Sequence, residues 1–153
     1  STALAEPLGL PVKNHLVEKS PDGGERPLPR EKFYIPGSLM RMTINPQHPL
    51  AFGLPEVINV MFVESPVFRL TPDAPLRRTA AVGWFAGDDL LASGWAWGQN
   101  YLDGGAAVVE SGLGQGRVIL FGPEVLFRAQ SHAAFKLFFN SLHYSRAAPV
   151  GLP

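Results

Sequence analysis

The sequence predicts a strand-rich α/β fold, with about six strands in a mixed sheet and one main C-terminal helix. Three observations carry that prediction. Residues 106–110 and 117–121 are apolar and β-branched, and the glycine-rich stretch Ser111-Gly112-Leu113-Gly114-Gln115-Gly116 joins them, which is a hairpin signal. Phe135, Phe138, Phe139 and Leu142 then recur at i, i+3, i+4 and i+7, one face of a helix. The 153 residues fit one domain, and 46% of them are hydrophobic, enough for a core without staples.

Taken in order, residues 2–8 read as the tail of a helix, with Gly9 at its C-cap and Pro11 as a stop. A domain opening inside a helix leads us to expect that the chain begins within a larger fold. Residues 12–17 fit a strand or a short helix. Residues 18–32 are charged, rich in Pro and Gly and aperiodic, so they read as a surface loop. Residues 39–44 alternate, with Met40, Met42 and Ile44 facing inward. Residues 45–49 form a turn and 50–54 a short helical turn. Strands follow at 57–63, at 66–70 as continuation or return, and at 80–85. Residues 90–94 lead into Trp95-Ala96-Trp97, where alternation puts both indoles on one side if the backbone is extended. Residues 101–105 turn the chain into the final hairpin, and 145–153 read as a loose tail.

Charge and composition remove several function classes. Formal net charge is zero, and the longest basic run is Arg77-Arg78, which argues against a nucleic-acid or anionic-membrane surface. No apolar run approaches the roughly 18 residues of a transmembrane helix. Residues 1–9 carry neither the basic nor the apolar region of a signal peptide. With no cysteine, the chain has no disulfide, thiol nucleophile or Cys-ligated zinc.

Four groups of residues could carry chemistry. His15-Leu16-Val17-Glu18 is a His-x-x-Glu pair, with His132 or His143 about a hundred residues on, a pattern that zinc-binding peptidases use. Against it stands a reading of four independent histidines. Ser131-His132 are adjacent, poor geometry for a relay, and Ser131 reads better as a helix N-cap. Gly112-x-Gly114-x-Gly116 leads into a strand rather than a helix, so it is a hairpin loop and not a phosphate cradle. Arg117, Glu124 and Arg128 flank a turn and are candidates for an ion pair. Trp84, Trp95, Trp97 and Tyr101 are either core or an exposed platform for sugar or peptide.

A strand, then Gly122-Pro123-Glu124, then a helix resembles the last element of class I glutamine amidotransferase-like domains. In that family a His-Pro-Glu triplet supplies base and orienter for a catalytic Cys. Leu4-Ala5-Glu6-Pro7-Leu8-Gly9 resembles the helix after the nucleophile elbow, which would lie just before Ser1. The segment from Asn45 to Pro55, with His48-Pro49-Leu50 and Gly53-Leu54-Pro55, is similar to one in non-catalytic members. The resemblance implies part of a flavodoxin- or amidotransferase-like three-layer fold. Gly122 stands where the base would be, so Gly122 and Glu124 mark a degenerate site with no imidazole to activate a nucleophile.

A broader resemblance covers nearly the whole chain. Phe33-Tyr34-Ile35-Pro36-Gly37-Ser38, Ser65-Pro66-Val67-Phe68-Arg69-Leu70, Ser93-Gly94-Trp95-Ala96-Trp97-Gly98 and residues 121–144 resemble the C-terminal region of large bacterial zinc carboxypeptidases of the carboxypeptidase A type. It implies an exported parent, periplasmic or extracellular, with zinc in an upstream peptidase domain and no cofactor or catalytic residue in this segment. The expected partner is that peptidase domain, through an exposed docking face that could also serve self-association. The alternative is a carbohydrate- or peptide-binding module using Trp95, Trp97 and Tyr101.

Overall fold

Side-chain alternation sets the strands of this fold, and proline-bearing turns end them. The computed structural model describes residues 2–145 and 147. In chain order it contains α1 (Thr2–Ala5), β1 (Val12–Asn14), β2 (Val17–Lys19), β3 (Glu25–Pro27), β4 (Ser38–Ile44) and β5 (Val57–Phe62). There follow β6 (Phe68–Leu70), β7 (Ala80–Trp84), β8 (Leu91–Ser93), β9 (Ala106–Leu113), β10 (Gly116–Phe121) and α2 (His132–Tyr144). The class is the expected one: strand-rich α/β with one main C-terminal helix.

Eight strands form one sheet in the order β1-β6-β9-β7-β4-β5, with β10 beside β9 and β8 beside β4. Every strand pairing among the described residues is antiparallel, where a mixed sheet was expected. Parallel neighbours need a crossover of a dozen or more residues, usually a helix. Between β1 and β10 the described chain supplies no α-helix to serve as that crossover. The hairpin joining β9 and β10 is tighter than its glycine-rich sequence implies. Leu113 pairs with Gly116, so only Gly114 and Gln115 form the turn. Residues 18–32 are likewise less loop than expected, because β2 and β3 pair there as a small hairpin.

Met40, Met42 and Ile44 point inward from β4 and are fully buried, as the alternation predicts. They meet Val60 and Phe62 of β5, and Phe62 packs edge-on against Phe85 at 5.9 Å and Phe33 at 6.2 Å. At the other end of the sheet, Ala5 and Leu10 join Val12, Phe68 and Val109 in a second cluster. The α1 turn closes as anticipated at Gly9, whose N–H meets Glu6 O at 2.9 Å while Leu10 N–H meets Ala5 O at 2.8 Å.

The helix α2 buries a different face from the one its phenylalanines suggest. Ala134, Leu137 and Ser141 are buried and Phe138 is half-buried, whereas Phe139 and Leu142 are 53% and 52% exposed. The stripe is displaced by one residue. Small Ala134 and Ser141 let the helix sit close on β5 and on the 3-10 turn Pro49–Ala51, a gap that phenylalanine would not fit. Asn140 Nδ2 fixes the docking by donating to Leu50 O at 2.7 Å and Phe52 O at 3.0 Å. Ser131 occupies the N-cap position but does not cap with its side chain; its hydroxyl donates to Asn59 O at 2.5 Å and ties the helix start to β5. Of the tail 145–153, residues 146 and 148–153 lie outside the described residues.

The shifted stripe is testable by thermal denaturation. Leu137→Ala is expected to cost about 2–5 kcal/mol by leaving a cavity. Phe139→Ala should stay within about 0.5 kcal/mol, as exposed substitutions do. Equal losses at the two positions would mean that the phenylalanine face is the packed one.

Candidate functional site

Two main-chain hydrogen bonds build the aromatic surface of this protein. Tyr34 and Trp97 form an antiparallel bridge, N–H to O at 3.0 Å in both directions. Gly98 makes that approach possible. Its φ is +73°, and a Cβ there would fall 2.0 Å from Lys32 O, a backbone atom that cannot swing aside. On the same stretch, Ser38 Oγ accepts from Trp95 N–H at 2.9 Å and lies 2.5 Å from Trp95 O.

Held this way, Trp95 and Trp97 are each 55% exposed and Tyr101 is 39% exposed. All three sequence candidates are thus exposed; Trp97 and Tyr101 line one cleft, and Trp95 is not among that cleft's lining residues. Trp84 does not join them; it is half-buried on β7. Tyr34 packs edge-on against Trp95 at 6.2 Å. Trp97 Nε1–H donates to Glu31 O at 2.8 Å, so its polar edge is engaged and its ring face remains free. Trp97 and Tyr101 line an open cleft with Glu31, Asp88, Gln99 and Asn100. Such a cleft offers flat apolar faces for C–H groups and carboxylate or amide side chains for hydroxyls, the pairing that sugars need.

The rim of the cleft carries an ion-pair network. Lys32 and Arg26 both bond Glu18, and the Lys32 hydrogen bond, followed by that of Arg26, holds the Glu18 carboxyl below the ordinary glutamate range. The same contact raises the Lys32 ammonium. Glu18 is thus occupied, and His15 Nε2 sits 3.1 Å from Asp103 O. His132 opens α2 with its ring against Phe135, and His143 lies in the last turn of that helix. The structure does not bring His15, Glu18 and either later histidine into one ligand set, and among the described residues no three His, Asp or Glu side chains could hold a metal.

Gly122-Pro123-Glu124 follows β10, as the sequence implied, and it is closed to a catalytic side chain. Gly122 N–H donates to Ala107 O at 2.8 Å, and a Cβ on Gly122 would meet Pro66 O at 2.2 Å and Ala107 O at 3.1 Å. Glu124 is fixed through its backbone, N–H to Met61 O at 2.9 Å. The expected grouping of Arg117, Glu124 and Arg128 does not form. Arg117 pairs instead with Glu110, and Arg128 lies over the Phe127 ring at 5.1 Å.

Sequence reading missed one polar cluster. Glu110 of β9 is approached by His48 Nε2 at 2.7 Å, Arg117 Nη1 at 3.2 Å and Tyr144 OH at 3.4 Å. His48 Nδ1 accepts from Leu50 N–H at 3.2 Å, which places the ring proton on Nε2. The buried Glu110 Oε2 nevertheless lacks an aligned hydrogen bond, so its contact with His48 is one of proximity. Arg117 stacks on Tyr144 at 3.9 Å. His48 and Tyr144 lie far from Glu110 in sequence and give no local spacing signal. The chemistry of the cluster is that of a clasp: the carboxylate gathers donors from a turn, a strand and the end of a helix.

Compared with protein-family models, curated proteins and solved structures, the chain has no match in any of the three.

Two outcomes are expected from this geometry. Gly122→Ala should destabilise by about 1–3 kcal/mol through overpacking against backbone, measured by chemical denaturation; unchanged stability would show room for a side chain. In an NMR pH titration Glu18 should protonate below the ordinary glutamate range, and Lys32→Gln should move it back up. Because the folded carboxyl is depressed, its stabilising contribution is present at neutral pH and is lost as pH falls through the folded value.

Proposed function

We propose that this chain is a non-catalytic carbohydrate-binding domain, with the Trp95, Trp97 and Tyr101 ledge as its ligand surface. The observation that carries the reading is the exposure of both indoles, 55% each, on a backbone pinned by hydrogen bonds at Tyr34 and Ser38. Large apolar rings held out in solvent cost hydration free energy unless a ligand covers them. Rigid rings also lose little conformational entropy on binding. The closure of the Gly122 turn by Pro66 and Ala107 supports the absence of catalysis in this segment.

We further propose that the domain serves an exported zinc carboxypeptidase of the carboxypeptidase A type, in the periplasm or outside the cell. That context rests on the sequence resemblance. No described helix is long and apolar enough to cross a membrane. The observation favouring a docked peptidase domain is the outward stripe of α2, where Phe139 and Leu142 are about half exposed beside a half-buried Phe135. In this reading zinc belongs to the peptidase domain, and this segment places substrate or matrix near it. Self-association through the same stripe is the competing use of that face.

Tryptophan fluorescence during titration with neutral oligosaccharides of glucose and N-acetylglucosamine tests the ledge. Trp97→Ala is expected to weaken binding about tenfold or more, the loss of one stacked ring. Binding of none of these sugars, or wild-type affinity in both the Trp95→Ala and Trp97→Ala variants, removes the carbohydrate reading. Binding of extended peptides at the ledge instead would transfer the site to that ligand class.

A further inference from the structure

A second concave site includes Tyr34 in its lining. A cleft of about 470 Å³ opens between the β2–β3 hairpin, the segment 33–35 and the turn 64–66, walled by Leu16, Leu28, Phe33, Ile35 and Pro66. That volume and that apolar lining, with a few polar groups, are those of a small-ligand site. Arg30, Glu64 and Tyr34 supply the polar side chains at issue. Arg30 Nη2 donates to Glu64 Oε1 at 3.0 Å and Oε2 at 3.2 Å, and its guanidinium carbon lies 4.8 Å from the Tyr34 ring centre.

Three features make this more than a surface pair. The side chains are 71% and 48% exposed, and exposed pairs contribute little to stability. Glu64 nevertheless adopts a left-handed backbone, φ +44°, a strain that persists where neighbours over-determine it. Those neighbours are Ile35 O, which accepts from Glu64 N–H at 2.9 Å, and Ser65 Oγ, which accepts from Val63 N–H at 3.0 Å. Finally, the Glu64 carboxylate uses only Nη2. Among the described residues no acceptor reaches Arg30 Nε or Nη1, so the guanidinium keeps unused donors while Glu64 and Tyr34 hold it in place.

We infer that this cleft binds an apolar carboxylate, with the hydrocarbon part against Leu16, Leu28 and Phe33 and the carboxylate on the free edge of Arg30. A guanidinium fork matches a carboxylate geometrically, and the apolar walls reject a merely charged ligand. The same chemistry is found in a free branched-chain acid and in the C-terminal residue of a peptide. Glu64 is a positioning residue in this site: it orients Arg30 without touching the ligand. The site is separate from the aromatic ledge, so either can fail alone.

The test is an NMR titration of the intact chain with 4-methylpentanoate, N-acetyl-leucine, N-acetyl-leucinamide and a leucine-terminated tetrapeptide at millimolar concentrations. The expected result is shifts at Leu16, Leu28, Phe33 and Arg30 Nε, with the acid binding about tenfold tighter than the amide. Arg30→Gln should abolish that acid–amide difference and leave the spectrum otherwise folded. Binding of both carboxylates supports the shared chemistry, and binding of the tetrapeptide with no binding of the free acid narrows it to peptide termini. Equal affinity for acid and amide, shifts confined to the Trp97 ledge, or no shifts at all would overturn the proposal, and the acid–amide comparison needs no variant.

Discussion

Strand β9 is the constraint on which the rest of the structure depends. Residues 106–109 are buried, and the strand is paired along both edges, with β7 on one side and β10 and then β6 on the other. A strand in that position can expose neither polar side chains nor unpaired backbone. The sequence meets the requirement with Ala106, Ala107, Val108 and Val109, and Gly122 N–H and Phe85 N–H close the pairing at its start through Ala107 O and Gly105 O. The turn at Gly122 follows from this packing. Its backbone is drawn so close to Pro66 that no side chain fits, and a residue with reactive chemistry is incompatible with the sheet in that form.

Glu110, where β9 emerges from the core, ties the sheet to the helix. A carboxylate at the end of a buried strand is costly unless cations and donors surround it. Arg117 and Tyr144 do so at Oε1 while His48 lies against Oε2, each from a different element, so one carboxylate links the Pro49–Ala51 turn and the last turn of α2. The stacking of Arg117 on Tyr144 adds a contact that needs the same geometry. The helix is thereby held at both ends, by Ser131 on Asn59 O and by Tyr144 at Glu110, and its shallow face can remain turned outward.

How much of this was legible depends on whether the signal is local. The alternation at Met40, Met42 and Ile44, the hairpin and the cap at Gly9 are short-range patterns, and each has its counterpart in the structure. The helix face was misread because two stripes one residue apart are both plausible, and bulk favours the phenylalanines while close approach favours Ala134 and Ser141. The mixed sheet was misread because sequence gives strands without their partners. The Glu110 clasp and the Arg30 cleft each depend on partners distant in sequence, His48 and Tyr144 for Glu110 and Glu64 for Arg30, which no spacing rule reaches.

Rigidity links the buried half of the molecule to its surface. The Trp97 bridge to Tyr34 is possible because Gly98 admits the Lys32 carbonyl, and Tyr34 directly precedes Ile35, which is fully buried in the main core. Movement of the aromatic ledge would therefore have to drag a packed core residue with it, and cores respond to such displacements by resisting them. Tyr34 also contacts both Trp95 and Arg30. One anchored residue thus sets the position of the ledge and of the cationic rim of the neighbouring cleft. A fold with this arrangement presents two preorganised surfaces whose entropic cost of ordering was met during folding rather than at binding.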